Sequence, residues 1–164
     1  MTKRLNGPPR VHQISVSHGG VPKLPVPEAK ITVRGVVGDR QRHTNIHGGP
    51  DRAVCVYSLE AIEALQAEGH SIAPGSTGDN VTIAGLDWFS LKPGDRLCIE
   101  SVELELLSYT TPCIHNARWF VNGDFSRISH KKQPGWSRMY ARVSGEGSIR
   151  VGDAIIYEPA NASR

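Results

Sequence analysis

The chain has 164 residues, 38% of them hydrophobic and 21% charged, with a formal net charge of +3. That size predicts a single domain able to bury a core without covalent staples. The charge surplus is mild, with no basic run beyond Lys131-Lys132, which argues against nucleic-acid binding but suits a small anionic ligand. No window is apolar enough to span a membrane and the first ten residues hold no apolar signal core, so the expected location is the cytoplasm. Cys55, Cys98 and Cys113 are odd in number and lack CxxC spacing, which speaks against a disulfide framework or a four-cysteine zinc site.

In chain order, strand-like runs rich in Val, Ile and Leu occupy 10–17, 30–37, 52–57, 80–85, 95–100, 102–109, 139–144 and 153–158. The clearest alternation is "VELELLSY", with Val102, Leu104 and Leu106 on one face and Glu103 and Glu105 on the other. Five Gly-Asp pairs begin at Gly38, Gly78, Gly94, Gly123 and Gly152, and four of the five precede such a run. Turn chemistry accounts for Gly94-Asp95 and Gly152-Asp153, glycine supplying positive φ and aspartate bonding its own backbone. One helix is predicted in "SLEAIEALQAEG", with Ser58 as N-cap, Leu59, Ile62 and Leu65 on one stripe and Gly69 as the stop. A second begins at Pro112 or Cys113 and runs through "IHNARWF". Many short strands with one or two short helices predict a mainly β fold, a closed or nearly closed barrel.

Four stretches hold residues suited to chemistry. In "YTTPCIHNARWF", Cys113 follows a proline where an extended run stops, whereas Cys55 and Cys98 lie in apolar runs and read as small hydrophobes. At the start of a helix, open N–H groups would favour a thiolate at Cys113, with His115 and Arg118 as cationic neighbours. Such a thiol serves as nucleophile, persulfide carrier or soft-metal ligand, or it is an inert structural thiol. In "NIHGGPDRAV", His47 and Arg52 flank glycines whose N–H groups can meet an anion, unless Asp51 and Arg52 merely pair. In "GSTGDNVTI", Thr77, Asp79 and Asn80 offer hydrogen bonds to a polar heterocycle or cap their own turn. In "SHGGVPKLPV", Lys23 offers an ammonium to a phosphate or lies solvated at the surface.

Taken in order, "VPKLPV", "GVVGDRQ" leading to "HGGPDRAVCVY", "TGDNVTIAGL", "KPGDRLCI", "VELELLSYTTPC" and "GWSRMYARVSGEGSIRVGDAI" resemble the small stand-alone members of the MOSC (molybdenum-cofactor sulfurase carboxy-terminal) domain family. The resemblance covers about 12–157 of a single domain spanning 1–164, with short flexible termini. It implies a pyruvate-kinase-like β-barrel and a site around Cys113. Carried over, Cys113 would ligate the molybdenum of a pterin cofactor. His47, Arg52, Thr77, Asp79, Asn80 and Arg118 would shape the pocket, and Lys23 would hold the phosphate. Two positions depart from the family pattern. Thr110 replaces an arginine common three residues before the cysteine, leaving Arg118, Arg138 or Arg142 to replace it in space. Asp79 stands where a longer glutamate is common.

The activity implied is reduction of N-hydroxylated or related small substrates. His115 is the expected proton donor, histidine being the side chain that exchanges protons near neutrality. The chain carries no flavin or iron–sulfur signature, so a separate electron-donor protein is expected. The alternative is a sulfur carrier receiving a persulfide on Cys113 from a cysteine desulfurase. A further alternative is a binding module without chemistry.

Overall fold

The structure is a computed structural model that describes residues 5–40 and 49–160. Its strands are β1 (Arg10–Val16), β2 (Leu24–Val26), β3 (Glu28–Thr32), β4 (Gly35–Val36), β5 (Val54–Ser58), β6 (Val81–Ala84), β7 (Arg96–Ile99), β8 (Val102–Tyr109), β9 (Met139–Gly145), β10 (Gly147–Arg150) and β11 (Ile156–Glu158). Among the described residues there is one α-helix, α1 (Leu59–Ala67), which follows β5 directly. The run expected at 30–37 is a hairpin rather than one strand, because β3 turns back on β4 with Ile31 opposite Val36. Short 3-10 helices occupy Pro50–Arg52, Trp88–Ser90, Ile114–Trp119, Val121–Gly123 and Phe125–Ile128. The helix expected from Cys113 is the third of these, a tight six-residue segment rather than an α-helix. Among the described residues, no helix is long and apolar enough to cross a membrane.

Eight strands form a sheet in the order β11-β7-β8-β9-β5-β6-β1-β2, and β10-β3-β4 form a second sheet. The closed or nearly closed barrel expected from the sequence is therefore corrected: among the described residues neither sheet closes. The two ends of the larger one approach only through β1 and the segment just before β11, where Arg10 stands opposite Ala154 in a single bridge and the Val11 N–H donates to the Asp153 carbonyl at 2.9 Å. Both edge strands have only three residues, and the middle of β2 is Pro25, which has no N–H to offer a further strand. Period-two alternation reveals that a segment is extended, but says nothing about which edges meet. Among the described residues all pairings are antiparallel except β5 with β6, where α1 lies in the crossover. Fittingly, β5 is buried at every position, as a strand covered on both faces should be.

The two sheets share one apolar cluster, joining Val102, Leu104 and Leu106 of β8 to Ile31 and Val36 of the hairpin and Ile149 of β10. The chain passes between the sheets from β9 to β10 close against the β7–β8 turn. A Cβ on Gly147 would sit 2.0 Å from Ser101 Oγ, so a larger residue would force that hydroxyl away from the Glu146 carbonyl to which it donates at 2.9 Å. Two aromatic residues anchor the core to the segment before β9. Tyr57 donates its hydroxyl to the Trp136 carbonyl at 2.5 Å, and Trp88 Nε1 donates to the Ser137 carbonyl at 3.1 Å.

The helix follows its sequence signals. Ser58 Oγ accepts the Ala61 N–H at 3.1 Å, Leu59, Ile62 and Leu65 are buried, and Gly69 takes φ of 100° at the stop. Ser58→Ala should lower stability by about 1 kcal/mol without altering the fold, read as a lower midpoint at unchanged slope in urea unfolding.

Candidate functional site

Cys113 lies just beyond the end of β8, at the N-cap of the 3-10 helix Ile114–Trp119, and is exposed. Asn116 holds this turn. Its Oδ1 accepts the Cys113 N–H at 3.3 Å, its own N–H donates to the Cys113 carbonyl at 2.9 Å, and its Nδ2 donates to the Thr77 carbonyl at 3.4 Å. The Cys113 turn is thereby tied to the loop before β6. Between them opens a cavity of about 240 Å³, and Lys23, Cys55, Thr77, Cys113, His115, Arg138 and Tyr140 are among its lining residues.

The floor and wall are set by strand register. Cys55 on β5 stands opposite Tyr140 on β9. Alternation along β9 sends Met139, Ala141 and Val143 into the core, which leaves Tyr140 on the cavity side. Burial pushes the Cys55 thiol up to about 11, with Arg138 pulling in the opposite direction. Burial likewise pushes the Tyr140 hydroxyl up to about 12, with Cys55 adding to the rise. Cys55 is thus a neutral, buried thiol in the cavity lining, and Cys113 is the accessible one.

Beneath the cavity lies a buried ion pair. Lys23 Nζ is 2.6 Å from Asp39 Oδ2, with both side chains under 10% exposed. The same carboxylate accepts the Ser17 N–H at 2.9 Å and Asn80 Nδ2 at 2.9 Å. Asn80 also accepts the Cys55 N–H on Oδ1 at 3.0 Å, fastening β5 to this network. Asp79 accepts the Gly75 N–H at 3.1 Å and the Thr82 hydroxyl at 2.6 Å. Gly75 in turn receives the Lys23 N–H on its carbonyl, and a Cβ there would lie 2.5 Å from the Lys23 oxygen. A positive φ of 84° and this close approach both require glycine at Gly75.

The structure brings Lys23, Thr77, Cys113 and His115 together at one cavity. Lys23 arrives already paired with Asp39 rather than solvated. Asp79 and Asn80 are buried behind the lining and spend their polar groups on the loop and on β5. Arg118 is outside the lining, over the Trp119 ring at 4.8 Å, and donates to the Val21 carbonyl. Arg52 is exposed, with its guanidinium 5.5 Å from the Tyr140 ring centre. Asp51 pairs with Arg142 at 2.8 Å, not with Arg52. His47 lies outside the described residues.

Of the three arginines considered as spatial replacements at Thr110, Arg142 is thus committed at the surface and Arg118 to Val21. Arg138 lines the cavity, and its carbonyl accepts the Thr110 N–H at 3.0 Å. Sequence reasoning missed Asp39, Asn116, Tyr140 and the place of Cys55 in the lining. Asp39 had a signal in the pair Gly38-Asp39, and Asn116 in its position three residues after a turn-starting cysteine. Tyr140 had only its place on the polar face of an alternating strand.

The MOSC domain sequence model matches residues 43–156. The chain therefore belongs to the MOSC domain family, a family generally linked to molybdenum-cofactor binding. It is 30% identical over 135 residues to the uncharacterised protein YflK of Bacillus subtilis, an alignment covering 81% of this chain and 60% of YflK. It is 27% identical over 148 residues to protein YiiM of Escherichia coli, covering 81% of this chain and 65% of YiiM. The chain thus spans about 60 to 65% of the length of these curated relatives. The crystal structure of YiiM from Geobacillus stearothermophilus superposes with a TM-score of 0.71 at 22% identity, over 92% of this chain and 75% of that one, a likeness of fold.

Two outcomes follow from this geometry. Asp39→Ala leaves the Lys23 ammonium buried without its partner and should cost roughly 3–5 kcal/mol, measured by denaturant unfolding. The Cys55 thiol is raised from 9.0 in the unfolded chain to about 11 in the fold, so its contribution is full below pH 9 and lost as pH rises toward 11. Unfolding free energies measured across that interval should decline, and Cys55→Ala should make the decline shallower.

Proposed function

We propose that this chain binds a molybdenum–pterin cofactor in the Cys113 cavity and reduces N-hydroxylated or related small substrates with electrons from a separate donor protein. The observation that carries the reading is an exposed thiol at a cavity whose lining includes Lys23, His115 and Arg138 but no carboxylate among the described residues. That donor set fits an anionic group carrying its own metal ligands. Among the described residues, no three His, Cys, Asp or Glu side chains are grouped to hold a metal by themselves. One soft thiolate suffices where the remaining ligands arrive with the metal. Buried donors without partners, Thr77 Oγ1 and Arg138 Nε, are consistent with a polar occupant.

In this reading Cys113 Sγ is the protein's ligand to molybdenum, and the bound cofactor supplies two-electron oxygen-removing chemistry. His115, at the cavity lining and exposed to solvent, carries protons between water and the leaving oxygen. The Lys23–Asp39 pair keeps the wall polar and fixed, and Asn116 holds the Cys113 turn in register with Thr77. A second reading, persulfide transfer from a cysteine desulfurase, is favoured by one feature: Cys113 is exposed beside Ile114, which is 69% exposed and offers an apolar contact to a docking protein.

Molybdenum and pterin content after anaerobic expression in a cofactor-proficient host tests the first reading. Near-stoichiometric metal and pterin in the wild type, both lost in Cys113→Ser, is the expected result. Absence of both from the wild type, with a control molybdoenzyme loaded in the same host, refutes it. A sulfur atom gained on Cys113 from a desulfurase would then establish the carrier role.

A further inference from the structure

The stretch 113–118, which carries Cys113, is anchored at its two ends and weakly in between. Pro112 before it is buried, and Phe120 beyond it is 5% exposed and belongs to the apolar cluster. Within the stretch Cys113, Ile114, His115 and Arg118 are exposed, and the buried side chain is that of Asn116, which is polar. Among the described residues, two hydrogen bonds join these six residues to distant parts of the fold. Asn116 Nδ2 donates to the Thr77 carbonyl at 3.4 Å, and Arg118 Nη2 donates to the Val21 carbonyl. Thr77 lies before β6 and Val21 before β2, and both line the cavity. The Thr77 wall is firmly built by comparison, because buried Asp79 receives the Gly75 amide and the Thr82 hydroxyl behind it. A segment that buries no apolar side chain and rests on a pair of bonds opens at a lower free energy than the core around it. The cavity it helps to enclose measures about 240 Å³. Pockets for small molecules ordinarily span roughly 300–1,000 Å³, so a ligand of ordinary size needs this one to widen.

We infer that residues 113–118 form a lid on the cavity, that Asn116 and Arg118 are its latches, and that closing the lid brings Cys113 to the occupant. Opening breaks the bonds to Thr77 and Val21, widens the space and uncovers Cys55 in the lining. Closing returns Cys113 and His115, which ride on the lid, to the edge of the cavity. The lid is a property of the chain itself and holds for any ligand of the cavity, so it is tested without a cofactor and stands or falls apart from the proposed function.

Cys55, 4% exposed in the lining, is a built-in reporter of opening. In the full chain carrying Cys98→Ala and Cys113→Ser it is the remaining thiol, and its labelling by dithiobis(nitrobenzoate) is followed without denaturant. Labelling should outpace global unfolding, whose rate is taken from unfolding kinetics in urea extrapolated to water. Asn116→Asp keeps the acceptor for the amide of residue 113 but has no N–H for Thr77, and Arg118→Ala removes the second latch. Each should speed labelling roughly threefold or more. Ile149→Val, in the core beside the second sheet, should lower the urea midpoint yet leave labelling unchanged, because a local opening does not pass through the unfolded state. Hydrogen exchange on the chain with its own cysteines covers the case in which the cysteine variant does not fold. Amides in 113–118 should exchange faster than those of β5, and faster still in both latch variants. Cys55 labelled no faster than the chain unfolds, labelling sped as much by Ile149→Val as by the latch variants, or labelling and exchange unchanged in both latch variants overturns the inference.

Discussion

The Lys23–Asp39 ion pair is the constraint on which the site depends. A single carboxylate, less than 10% exposed, receives the ammonium of Lys23, the amide of Ser17 and the side chain of Asn80. Through those bonds it joins the end of β1, the approach to β2, the segment after β4 and the entry to β6. Asn80 passes the connection on to β5 at Cys55. Burying two charges is costly, and the cost is offset only when geometry and further hydrogen bonds satisfy both. This pair meets that condition, and it therefore helps to specify one arrangement of four chain segments.

That arrangement decides the character of the cavity. With Asp39 paired to Lys23, the guanidinium of Arg138 lines the cavity without a carboxylate partner among the described residues. The two thiols of the lining differ for the same reason of placement. Cys55 lies in a strand covered on both faces and is held in its neutral form by burial, while Cys113 stands on a turn open to solvent. With Cys55 buried and neutral and Cys113 exposed, Cys113 is the thiol of the lining that is presented to a ligand.

The fold was partly legible in advance. The alternation of Val102, Leu104 and Leu106, the Ser58 cap and the Gly69 stop each depend on residues within a few positions, and each stands in the structure as read. Barrel closure was not legible, because it depends on how far the pairing between β1 and the segment before β11 extends, and that pairing stops at a single bridge between residues 144 positions apart. The site divides in the same way. Cys113 was conspicuous because a proline–cysteine step ends a long strand. Asp79 and Asn80 were read as ligand contacts because small polar loops serve ligands and folds alike, and only their bonds to Thr82 and Cys55 show where their polar groups go.

By itself the sequence determined the family, most of the strands, the capped helix and the thiol of Cys113, since these rest on local pattern and on motifs contiguous in the chain. The tertiary structure alone decided which lysine is neutralised and which arginine faces the cavity. Those properties come from partners far apart in sequence, 16 positions for Lys23 and Asp39 and 61 for Arg138 and Thr77. Burial and charge pairing exist only once the fold has brought such residues together.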